Sequence, residues 1–137
     1  MIDLFVSPGD EIIIKFAVAI DENNKLYVDF NKKSLSTVFT GKESEIETYE
    51  VIFKKPSFQD TIEMAEGTYG ANADGQISFN ILGDRYQKMV HLLKSWTLKD
   101  KDGKILPPNK ESVQKLHPSV AEIISTQLEA EVNLNIT

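Results

Sequence analysis

The chain contains no cysteine, and among its 137 residues there are only two histidines and one tryptophan. The missing thiols exclude disulfide scaffolds, thiolate zinc fingers, iron–sulfur clusters and cysteine nucleophiles together. They leave the redox compartment open. No apolar run approaches the ~18 residues of a membrane-spanning helix, and the opening segment MIDLFVSPGD has no basic region ahead of a sustained apolar stretch. A cytosolic start is the simplest expectation. Positive charge is also scarce, with 15 Lys+Arg against 21 Asp+Glu and a net charge of −6. Such a balance argues against a protein whose affinity rests on neutralising phosphates. What remains, 41% hydrophobic and 26% charged residues, is the composition of an ordered globular chain, and its length suits one domain.

The first half reads as strands. Ile12, Ile14, Phe16, Val18 and Ile20 share one parity while Lys15, Ala17 and Ala19 take the other, the period of a half-buried strand. Asp21 to Asn24 supplies turn formers that tolerate left-handed backbone, and Leu26, Val28 and Phe30 resume the alternation. A third strand is predicted from Tyr49 to Lys54, and Val38-Phe39-Thr40 is a candidate short strand ahead of the polar run GKESEIE, which reads as a solvated loop.

Pro56 marks a change of period. Ser57 with Asp60 has the form of a helix cap, and Phe58, Ile62 and Ala65 predict a helix over 58–66. GTYGANADG, residues 67–75, is expected to be a mobile loop. Leu82, Tyr86, Met89, Val90, Leu93 and Trp96 trace one stripe of an amphipathic helix, with Arg85, Gln87, Lys88 and Lys94 on its wet side. A turn at DKDGK follows, then a short helix capped by Asn109 and running to Leu116. Beyond Pro118, Ser119 and Glu122 form a capping box for a last helix whose stripe is Val120, Ile123, Ile124, Leu128 and Val132. Residues 133–137 should fray. The expected architecture is α+β in a single domain, 1–137: a small antiparallel sheet within a β-rich part (1–54), then a part of about four helices (55–132).

Chemistry is hard to find in this pattern. His91 and His117 stand 26 positions apart without visible ligand or triad spacing, so a packed or surface histidine is the plainer reading of each. DKDGK superficially suits a calcium loop, but with Gly103 at the sixth position the first falls on Leu98 and the twelfth on Asn109, where carboxylates are required. A β-turn fits better. Carboxylate pairs such as Glu43/Glu45 and Glu63/Glu66 read as solvated faces, and no G-x-G-x-x-G, P-loop, G-x-S-x-G or H-E-x-x-H pattern occurs. No catalytic residue, metal ligand or cofactor is therefore assigned. The two C-terminal apolar stripes either pack on one another and on the sheet, or the last helix swings clear and offers Ile123, Ile124 and Leu128 to a partner. Trp96 is a candidate interface anchor as well as a candidate core residue.

The order of features from residue 50 to 132 resembles a known family. VIFKKPSFQD, an amphipathic helix ending in Trp96-Thr97-Leu98, then Asp100, Asp102-Gly103, Leu106-Pro107, a helix closing at Leu116, Pro118 and a final helix look like the tail assembly chaperones of tailed bacteriophages. The resemblance implies a non-enzymatic protein of the host cytoplasm that coats the tape-measure protein and recruits tail-tube subunits. It would need no nucleic acid, membrane or cofactor. Trp96, Leu98, Ile123, Ile124 and Leu128 would then contribute to client binding or self-association. Two rivals stand beside it: a structural tail or baseplate component of the virion, suggested by the β-rich N-terminus, and a small enzyme or ligand-binding domain, which would need a deep polar pocket.

Overall fold

A computed structural model describes residues 1–39, 45–66, 69–71, 77–79 and 81–132. Its frame is a four-stranded antiparallel sheet in the order β2-β1-β3-β6, formed by β1 (Glu11–Ile20), β2 (Leu26–Asp29), β3 (Glu47–Lys54) and β6 (Leu93–Trp96). The helices are α1 (Lys32–Val38), α2 (Phe58–Glu66), α3 (Ile81–Leu92), α4 (Lys110–Gln114) and α5 (Pro118–Val132). The expected α+β architecture, an antiparallel sheet followed by helices, is what the chain adopts.

The alternation in β1 decides how the layers stack. Ile12, Ile14 and Phe16 join Val51 and Phe53 of β3 on one face, where Met89 and Leu92 of α3 and Ile124 and Leu128 of α5 complete the core. Phe53, Leu92, Ile124 and Leu128 have no exposure. Each such side chain adds about 1.5–3 kcal/mol of burial free energy. On the opposite face Ala17 and Ala19 leave room for α1, whose Leu35 packs there with Ile46. The rings of Tyr27 and Phe39 meet edge to face beside them, 5.3 Å apart.

Two five-residue turns share one construction. In DENNK, Asp21 Oδ1 accepts from the amides of Asn23 and Lys25, and in DKDGK, Asp100 Oδ1 accepts from those of Asp102 and Lys104. Each aspartate also pairs its own amide with the carbonyl of the lysine four residues on. The fourth position is left-handed in both, φ 61° at Asn24 and φ 77° at Gly103. Such backbone favours Asn and Gly. Asp100 is thereby committed to holding a turn. The bond from the Lys25 amide, opposed by desolvation and helped by the bonds from Asn23 and Tyr27, holds the Asp21 carboxyl below its ordinary range.

Several expectations are corrected. The short strand at Val38-Phe39-Thr40 is instead the end of α1, because the Asn31 side chain accepts from the Lys33 amide and starts a helix; Thr40 lies outside the described residues. Of GKESEIE, residues 41–44 lie outside them too, Ile46 is buried, and Glu47 already belongs to β3. Within 67–75, Tyr69–Ala71 is a strand, β4, paired with β5 (Ile77–Phe79); 67, 68 and 72–75 are not among the described residues, nor is the tail 133–137 that was expected to fray. The helix predicted to reach Trp96 stops at Leu92, since Leu93–Trp96 pairs with β3. Leu82 is exposed, while Lys88, expected on the wet side, is buried where α5 packs over α3 and bonds Asp84 at 2.9 Å. The last helix begins at Pro118 rather than after Ser119: His117 Nδ1 accepts from the Ser119 amide, and the His117 carbonyl accepts from Val120 and Ala121. Proline suits that first helical position because it has no amide hydrogen to satisfy.

Candidate functional site

The Trp96 to Pro107 segment closes on itself. Trp96 Nε1 donates to the Leu106 carbonyl at 2.6 Å, the Leu106 amide donates to the Leu98 carbonyl at 3.1 Å, and Lys99 bridges to Ile105. Asp100 and Gly103 form the tip. Each residue type in the family-like motif thus has a local role, in which the indole closes the loop, Leu98 is buried, Asp100 nucleates the turn and Gly103 supplies its backbone. The loop is one wall of an open groove of about 640 Å³. Phe16, Val18 and Ile20 of β1, with Leu26 and Tyr49, form the floor, and Trp96, Leu98, Leu106, Leu116 and Val120 form the wall. Ile20 is left 57% exposed at the open end.

Charge around the opening is locally basic in an acidic chain, with Lys99, Lys101 and Lys115 against Glu47 and Asp100. Tyr49 hydrogen-bonds Glu47 at the floor. Burial pushes the Tyr49 hydroxyl up to about 12, and both the bond to Glu47 and that carboxylate's charge act in the same direction. A second cleft, of about 470 Å³, adjoins the first at Leu26 and is bordered by Ile123.

The five residues expected to make partner contact therefore separate. Trp96 and Leu98 are mostly buried but border the groove, Ile123 borders the second cleft, and Ile124 and Leu128 lie in the core with no exposure. The last helix does not swing clear. Its stripe is covered by the sheet and α3, so it offers a partner neither Ile124 nor Leu128. Sequence reading missed the groove's floor, Ile20, Leu26 and Tyr49, because strand residues of the N-terminal half showed no link to the C-terminal motif.

A polar cluster also lies between α2 and α3. His91 Nε2 is 3.1 Å from Asp60 Oδ1 and 3.3 Å from Glu63 Oε2. Ser57 caps α2: its amide and hydroxyl both donate to Asp60 Oδ2, and its Oγ accepts from the Asp60 amide. Lys54 Nζ reaches Asp60 Oδ1 at 2.7 Å. Burial disfavours the charged form of Asp60, but the bonds from Lys54, Ser57 and His91 outweigh it and hold the carboxyl well below the usual carboxylate range.

No protein-family model, curated protein or solved structure matches this chain. Among the described residues no helix is long and apolar enough to cross a membrane.

Proposed function

We propose that the protein is a non-enzymatic assembly chaperone of a phage or phage-like tail, working in the host cytoplasm by holding an apolar stripe of the tape-measure protein and engaging tail-tube subunits. One observation carries the reading: an open groove with apolar walls is built directly on the Trp96–Pro107 loop, which lies within residues 50–132, the stretch over which the chain resembles that family. A client helix would lay aliphatic side chains over Ile20 and Leu116 and direct acidic residues toward Lys99, Lys101 and Lys115. The net charge of −6 supports solubility of the complex. Partners exposing no acidic flank are disfavoured.

The test is capture of tape-measure protein fragments from a tailed phage, comparing wild type with Ile20→Asp and Leu116→Asp. Binding lost in both variants, with unchanged circular dichroism, supports the reading. Undiminished binding by folded variants removes the groove from the function. The alternative, a structural tail or baseplate component, is favoured by the N-terminal arm, where Met1, Ile2, Leu4 and Phe5 are exposed ahead of the sheet. Finding the polypeptide in purified particles would decide for it.

A further inference from the structure

We propose that Asp60, Glu63 and His91 form a binding site for a single divalent ion of the zinc class, and that the ion clamps α2 onto α3. Asp60 and Glu63 are one turn apart and so share a face of α2. His91 closes α3 directly opposite them. Their three ligand atoms lie within 4.8 Å of one another, and His91 Nε2 stands 3.1 and 3.3 Å from the two carboxylate oxygens. Ligands about 2.0–2.1 Å from a tetrahedral ion are about 3.3 Å apart, so an ion entering between these atoms requires only small side-chain shifts.

The surroundings favour this arrangement. Ser57 occupies Asp60 Oδ2 through two bonds, which fixes the carboxylate with Oδ1 turned to the imidazole. That is the outer-shell orientation a metal-bound carboxylate needs. The Asp60 side chain is 12% exposed, whereas Glu63 is 47% exposed, so the cluster meets solvent on the Glu63 side, from which an ion can approach. An imidazole with two carboxylates suits Zn²⁺, Co²⁺ or Ni²⁺, while Mg²⁺ and Ca²⁺ favour all-oxygen sites. Lys54 is a competitor at Asp60 Oδ1, but its side chain is 43% exposed and free to turn into solvent.

The clamp has a mechanical role. Met64 is the one apolar side chain of α2 that is buried, while Phe58 and Ile62 face solvent. Hydrophobic contact alone therefore holds this helix weakly, and an ion shared between α2 and α3 would fix it.

The experiment is calorimetric titration of metal-free protein with ZnCl₂ at neutral pH, paired with the visible absorption of the Co²⁺ form. The expected result is saturation at one ion per chain, a tetrahedral Co²⁺ spectrum, and affinity weakened at least about tenfold in both His91→Gln and Glu63→Gln. Glu63 is exposed enough that its variant folds even where the His91 variant does not. Lys54→Gln, which removes the competing cation, is expected to tighten binding. No saturable binding by wild type, or binding of unchanged strength in Glu63→Gln, would overturn the assignment and leave the three residues as an ion-pair cluster.

Discussion

Trp96 and Leu106 are joined by the indole Nε1 hydrogen bond to the Leu106 carbonyl, at 2.6 Å, so the two ends of the groove's loop are held by one side chain. Trp96→Phe keeps an aromatic ring in place but leaves that partly buried carbonyl without its donor. The expected loss is about 1–3 kcal/mol. Urea denaturation reads it as a lower midpoint at unchanged slope.

Gly103 and Asn24 occupy equivalent left-handed positions in the two matched turns. A Cβ added at Gly103 meets nothing within 4 Å, so Gly103→Ala carries only the backbone penalty. That change should destabilise by about 1 kcal/mol, whereas Asn24→Gly should leave stability unchanged or raise it by a few tenths, about 0.5 kcal/mol at most. Thermal melts of the two variants check the contrast.

Leu128 is wholly buried between the sheet and α3. Leu128→Ala is expected to cost about 2–5 kcal/mol of folding stability, which chemical denaturation measures. Loss of client capture in that variant would follow from unfolding, so groove variants at Ile20 and Leu116 are the proper probes of binding.

Tyr49 predicts the alkaline limit. Its folded-state pKa is raised from 10.0 to about 12, so its contribution is complete below pH 10 and is lost as pH rises through about 12. The ultraviolet signal of tyrosinate should include a late step from Tyr49, and Tyr49→Phe should remove that step.

Much of the fold was legible in the residues themselves, because its determinants are local. The parity of Ile12 to Ile20 set the buried face of β1, Asn24 marked its turn, and Ser57 with Asp60 capped α2 as their spacing required. What was illegible depends on contacts between distant segments. Leu93 and Trp96 are spaced as in a helix, yet the free edge of β3 captures them as a strand through Val51 and Phe53. Helix α1 was hidden because Ser34, Ser36, Thr37 and Val38 are weak helix formers in a short segment, and Leu35 is buried only once Ala17 and Ala19 present a shallow surface. The groove and the His91 cluster share this character. Asp60 and His91 are 31 positions apart and meet only because α2 lies on α3.

The core closes with its last helix. Ile124 and Leu128 complete a cluster whose other members begin at Ile12, so nearly the whole described chain is spanned by one set of contacts. While the polypeptide is being made, the sheet and α3 must emerge from the ribosome with their inner face uncovered, and they remain so until α5 has cleared the exit tunnel. Folding to completion therefore waits on α5, and until then the newborn chain shows water the apolar face that Ile124 and Leu128 later cover.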